Sequence, residues 1–133
     1  MSEGKIMIVE DDPMMADTIA SMLELYGYET VIFHDAQQAV EAIPTEKPGL
    51  MMLDQNLPGG LTGVDICRRV KSDPETMSTP VIIASAENQP DVVADAMAAG
   101  VSRYLVKPVG LDDLERAISE TLKEQRDNPS APS

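Results

Sequence analysis

Three stretches of this chain are apolar at every position for four residues in a row: Ile6-Met7-Ile8-Val9, Leu50-Met51-Met52-Leu53 and Val81-Ile82-Ile83-Ala84. A half-exposed strand alternates apolar and polar side chains. Runs without alternation therefore belong to strands covered on both faces, as in a parallel sheet with helices above and below it. With flanking residues the strands are expected near Lys5–Val9, Tyr28–Phe33, Gly49–Leu53, Pro80–Ser85 and Arg103–Val106.

Helical signals fill the intervals. After Pro13, the residues Met15, Ile19, Met22 and Tyr26 recur at the helical period, and Gly27 stands where a left-handed cap belongs. Asp35 followed by Gln38 reads as a capping box, and that second helix is expected to stop before Pro44. Three more helices are expected, from Gly63 to Lys71, from Pro90 to Ala99 with Gly100 as stop, and from Leu111 to Glu124. On the last of these, Leu114, Ile118 and Leu122 line one face. Strand and helix alternating five times predict an α/β fold, a doubly wound five-stranded parallel sheet with five helices, formed as one domain by residues 1–124. Residues 125–133 hold too little apolar surface to pack and are expected to be a flexible tail.

A chain of 133 residues suits one domain of this kind. With three Tyr, one Phe and no Trp, aliphatic and Met side chains must fill its core. Most of the nine Met residues fall on strands or inward helix positions, so core packing is the expected use of them. The formal charge of −13 argues against direct binding of nucleic acid or anionic lipid, which requires a positive face. The opening residues Met1-Ser2-Glu3-Gly4-Lys5 lead into no long apolar stretch, which predicts a cytoplasmic protein without a membrane span. Cys67, the only cysteine, is expected as a small buried hydrophobe on a helix. His34, the only histidine, stands just before Asp35, which suggests a part in helix entry.

In an open parallel sheet, ligands gather at the carboxyl ends of the strands. Here the first strand runs into Glu10-Asp11-Asp12, the third into Asp54 and the fourth into Ser85, and Lys107 follows the fifth. Acidic residues at the start of a helix are common on their own, because they meet its positive dipole end. Several carboxylates converging from different strands repel one another and call for a cation among them. Magnesium suits such a set, since it takes a few carboxylates, waters and a phosphate oxygen; manganese is a possible substitute. Lys107 and the Ser85 hydroxyl are suited to phosphate oxygens.

Over about Lys5–Lys123 the sequence resembles the receiver domains of two-component response regulators, which have a flavodoxin-like fold. The resemblance is carried by Ile6-Met7-Ile8-Val9-Glu10-Asp11-Asp12-Pro13, Met52-Leu53-Asp54-Gln55-Asn56-Leu57-Pro58-Gly59, Ile83-Ala84-Ser85-Ala86 and Tyr104-Leu105-Val106-Lys107-Pro108. It implies Asp54 as phosphoacceptor. It implies a metal held by Asp11, Asp54 and the Asn56 carbonyl directly, and by Glu10 through water. It also implies Ser85 and Lys107 as phosphate contacts, Tyr104 as an aromatic switch, a cis bond before Pro108, and the side chains of Asn56 and Glu87 as modulators of dephosphorylation. The activity it implies is a phosphoacceptor switch with its own autophosphorylation and autodephosphorylation chemistry, not a classical enzyme. The implied partners are a sensor histidine kinase or histidine phosphotransfer protein, and an output protein on the face of the fourth helix, fifth strand and fifth helix. With only the short tail after the last helix, signalling is expected to pass to that separate protein.

Two departures from the family pattern stand out. The loop Gly59-Gly60-Leu61-Thr62-Gly63 is one residue longer than its commonest form. Gly100-Val101-Ser102-Arg103 stands where receivers fused to winged-helix domains often carry an acidic pair, so their dimer is not expected. An aspartyl-nucleophile phosphatase of the haloacid dehalogenase type would need a second Asp where this chain has Asn56, and a flavodoxin would need a phosphate loop where it has carboxylates. A receiver-like interaction module that does not depend on phosphorylation is the remaining alternative.

Overall fold

The computed structural model describes residues 4–127. Its elements run β1 (Lys5–Val9), α1 (Pro13–Leu25), β2 (Glu29–Phe33), α2 (Ala36–Glu46), β3 (Leu50–Asp54), α3 (Gly63–Ser72), β4 (Val81–Ser85), α4 (Pro90–Ala98), β5 (Arg103–Val106) and α5 (Leu111–Asp127). All strands are parallel, in the order β2-β1-β3-β4-β5. The doubly wound fold read from the apolar runs is therefore the one formed.

The period of two along each strand divides the core. Met7, Val9, Met51, Leu53, Val81 and Ile83 face α2, α3 and α4, meeting Ala39, Ile43, Val64, Cys67, Val70 and Ala96. Their neighbours Ile6, Ile8, Leu50, Met52 and Ile82 face α1 and α5, meeting Ile19, Ala20, Leu23, Leu114, Ile118 and Leu122. Cys67 is fully buried, and burial pushes its thiol pKa up, as suits a packing residue. Met7, Met51 and Met52 fill the core as expected, whereas Met14, Met15, Met77 and Met97 are exposed.

Some local expectations are corrected. The buried face of α1 is Ala16, Ile19, Ala20 and Leu23, with Tyr26 left exposed. Two alanines let the helix lie close to the sheet, and a search for large apolar side chains overlooks them. Helix α2 does not stop before Pro44 but runs through it to Glu46. Pro44 is exposed in the last turn, where it forfeits a single bond to the carbonyl four residues back. Buried Ile43 and the Lys5–Glu46 ion pair at 2.7 Å hold that turn, and Lys47 ends it in the left-handed region at φ 50°. Helix α5 extends three residues past Glu124, with the Gln125 side chain donating to the Ser78 carbonyl at 2.8 Å. Of the expected tail, residues 128–133 lie outside the described residues.

Candidate functional site

Because the strands are parallel and in register, their carboxyl ends meet along one edge: Val9 pairs with Leu53, Asp54 with Ala84, and Ser85 with Val106. Glu10 and Asp54 are buried there, only 3% and 8% exposed, while Asp11 is open to solvent. One carboxylate oxygen from each of Glu10, Asp11 and Asp54 lies within 4.8 Å of the others. Lys107 reaches across from the end of β5 to Asp54 Oδ2 at 3.0 Å and Glu10 Oε1 at 3.4 Å. The remaining oxygens take backbone donors, Asn56 N–H on Asp54 Oδ1 at 3.1 Å and Asp12 N–H on Glu10 Oε2 at 3.2 Å.

Burial pushes the Glu10 pKa above its ordinary value, against the opposing pull of the Asp12 amide and the Lys107 charge. For Lys107, burial is the largest single influence and acts downward. The hydrogen bond to Asp54 and the charges of Asp54 and Glu10 together outweigh it and leave the pKa raised. When ionised, three carboxylates face this one ammonium, so two negative charges stay unmatched. A hard divalent cation fits that charge and those oxygen donors. Asp12 stands apart from the cluster and caps α1, accepting from Met14 N–H at 3.0 Å.

Ser85 is fully buried at the end of β4, and its hydroxyl oxygen accepts from Glu87 N–H at 3.1 Å. The Tyr104 hydroxyl donates to the Glu87 carbonyl at 3.0 Å, and its half-buried ring packs against the α2, α3 and α4 side of the core. The Lys107–Pro108 bond is cis. Asn56 and Glu87 present exposed side chains near the edge.

Sequence reasoning passed over two features. Gln55 Oε1 accepts from Val64 N–H at 2.9 Å while Gly63 N–H donates to the Gln55 carbonyl at 3.1 Å, which ties the end of β3 to the start of α3. Gly63 is needed there because a Cβ would stand 2.7 Å from the Asp54 carbonyl oxygen. The second is an apolar cavity of about 440 Å³ beside Glu10 and Lys107, lined by Met15, Ile19, Met52, Pro108, Val109 and Leu114 among others.

Residues 6–119 match the family model described as the response regulator receiver domain. The chain belongs to that family. Curated relatives include the DNA-binding response regulator MtrA of Mycolicibacterium smegmatis, 29% identical over 95% of this chain and 54% of that protein. The phosphate regulon transcriptional regulatory protein PhoB of Pseudomonas aeruginosa is 33% identical over 89% of this chain and 51% of its own length. This chain thus spans about half the length of those relatives. Among solved structures, a CheY-like receiver domain protein from Methanospirillum hungatei superposes with a TM-score of 0.86, at 27% identity, covering 94% of this chain and 98% of that one. Receiver domains are phosphoacceptor switches with intrinsic phosphorylation and dephosphorylation activity, and the acidic cluster is of the kind that role uses. Among the described residues no helix is long and apolar enough to cross a membrane.

Proposed function

We propose that Asp54 is the phosphoacceptor of this receiver and that a histidine kinase or histidine phosphotransfer protein is its donor. The observation that carries the reading is the setting of the Asp54 carboxylate, 3.0 Å from the Lys107 ammonium and within the cluster that Glu10 and Asp11 complete. An Asp54 oxygen attacks the phosphorus of the donor's phosphohistidine. The new O–P bond forms as the P–N bond breaks, and the departing imidazole keeps the electron pair and is protonated. Asp11, Asp54 and the Asn56 carbonyl would hold magnesium, or manganese in its place, with Glu10 acting through a water. When bound, the ion offsets the negative charge that develops on the transferring group. Asp12, tied up as the α1 cap, has no part in this.

The phosphoryl group adds nearly two negative charges next to Lys107 and Ser85. The buried Ser85 hydroxyl accepts from Glu87 N–H and keeps its own proton to donate to a phosphate oxygen, so its shift towards that oxygen draws the Glu87 peptide with it. The same peptide segment presents the carbonyl that holds the Tyr104 hydroxyl, so its movement frees the ring to turn inward. That rearrangement alters the face of α4, β5 and α5, the surface we assign to an output partner. Exposed Asn56 and Glu87 flank the approach of water and tune the lifetime of the acyl phosphate. The apolar cavity beside Lys107 suits the donor, because apolar surface from a partner would cover it and exclude water at the transfer step.

Intact mass after incubation with acetyl phosphate, with and without magnesium, tests the assignment. The expected result is a magnesium-dependent gain of one phosphoryl group in the wild type and none in Asp54→Asn. A gain that persists in Asp54→Asn puts the acceptor elsewhere. A wild type that accepts from neither acetyl phosphate nor a phosphorylated kinase refutes the reading.

A further inference from the structure

We propose that the corner between β2 and α2 braces both halves of the acidic site, with His34 as a positioning residue for the loop that carries Glu10 and Asp11. The proposal rests on the metal-site reading above. The parallel ladder between β1 and β2 ends with Glu10 N–H donating to the Phe33 carbonyl at 3.0 Å. Beyond that rung the chain turns away, since Asp35 leaves the strand to cap α2 and accepts from Gln38 N–H at 3.0 Å. The Glu10 carbonyl lies where the ladder has run out, and the His34 imidazole takes it, with Nδ1 2.9 Å away. A carbonyl only accepts, so the ring carries its proton on Nδ1. Both backbone polar groups of Glu10 are thus held by consecutive residues of one strand end. The peptide they fix has the Glu10 side chain on one side and the Asp11 side chain on the other.

The next two residues hold the opposite half of the site. Ala36 N–H donates to the Pro58 carbonyl at 3.0 Å, four residues beyond Asp54. The Asp35 carboxylate packs on Gly59, whose φ of 100° and lack of a side chain both matter, because a Cβ there would meet Asp35 Oδ2 at 2.9 Å. Residues 34, 35 and 36 therefore touch the Glu10–Asp11 loop and the loop after Asp54 in immediate succession. The corner sets how far apart the two loops stand, and with it the spacing of the Asp11 and Asp54 carboxylates. Magnesium tolerates little departure from octahedral geometry, so a loosened loop is felt first as lost affinity. Groups that orient metal ligands without touching the ion are worth roughly 10- to 100-fold in affinity. His34 is exposed and water competes for the same carbonyl, which places its effect at the lower end, about tenfold.

The test follows thermal denaturation of the full chain across a magnesium series, for wild type, His34→Ala and His34→Asn. The Asn amide nitrogen lies two bonds from Cβ, as Nδ1 does, so it can donate to the same carbonyl. The expected result is a magnesium dissociation constant about tenfold higher for His34→Ala, within about twofold of wild type for His34→Asn, and similar melting of all three without magnesium. A purely structural His34 would instead lower magnesium-free melting and leave affinity alone. Wild-type affinity in His34→Ala, or an Asn variant as weak as the Ala variant, overturns the brace. A wild type indifferent to magnesium overturns the metal-site reading and the brace with it, so the two failures are told apart.

Discussion

Replacing Lys107 by Met removes the one ammonium from the acidic cluster while keeping a side chain of similar length against the cavity wall. Its attractions act over 3.0 Å to Asp54 and 3.4 Å to Glu10. Each is worth about 5 kcal/mol at an effective dielectric constant of ~20 and about 1.3 kcal/mol in water. The Lys107 side chain is 33% exposed, so screening removes much of the larger figure, and part of the rest is offset by the cost of taking three charges out of water. A loss of about 2 kcal/mol at neutral pH without magnesium is the resulting expectation. For a chain of this size that is a fall of roughly 8 °C in Tm.

Circular dichroism melts in chelator and in magnesium, repeated from about pH 4 to beyond pH 10.5, measure the effect and its cause. Magnesium should restore more stability to the variant than to wild type, because it supplies the positive charge that the variant lacks. Acid should also narrow the gap. The Glu10 pKa is raised above the ordinary 4.5, so on acidification its repulsion is relieved before an exposed glutamate would be protonated. At the other end of the scale the raised Lys107 pKa keeps the wild-type pair intact through 10.5, and its contribution is lost as pH climbs through the higher folded value. A loss of stability that ignores both magnesium and pH would show that Lys107 acts by packing, and the electrostatic reasoning would fail.

Two further substitutions follow from the same geometry. Glu10→Gln should stabilise the magnesium-free protein at neutral pH: a raised folded pKa means that the native state holds its proton longer, so the ionised carboxylate costs stability as pH rises above 4.5. Denaturant titrations at several pH values check this, and a gain that persisted below pH 4.5 would contradict it. Gly63→Ala puts a Cβ 2.7 Å from the Asp54 carbonyl oxygen, a backbone atom that cannot swing aside, and should cost about 1–3 kcal/mol in the same titration.

The sheet was legible because burial on both faces leaves four consecutive apolar residues in each of β1, β3 and β4, and the charged site because Glu10 and Asp54 directly follow two of those runs and Lys107 follows β5. Glu10, Asp54 and Lys107 share one edge because parallel strands end on the same side, which the sequence reading implies; that β1, β3, β4 and β5 stand side by side in that order is supplied by the structure. Helix α1 was misjudged because Ala16 and Ala20 bury little area each and are selected by the closeness of helix to sheet, a tertiary quantity. Pro44 and the extension of α5 to Asp127 are decided by neighbours distant in sequence, Lys5 and Ser78 respectively. The His34 ring and the Gln55 amide escape for a related reason. Each is bonded to a backbone group, and a backbone group gives no sign in the sequence of which side chain will reach it.

Position in the cluster also gives the switch its direction. Lys107 divides its bonds between Asp54 and Glu10, and among the described residues the Asp54 oxygens otherwise accept a hydrogen bond from the Asn56 amide. On the proposed reading, phosphorylation turns the Asp54 side into a group of nearly two charges, and an ammonium follows the stronger field. Glu10, nearly fully buried and already raised in pKa, then loses part of its ion pair with Lys107. The imbalance can be met by the metal proposed for this cluster or by proton uptake, so the phosphorylated state should bind magnesium more tightly than the free one. On that reading, the buried carboxylate that costs the resting protein stability is the group that would couple metal to phosphate.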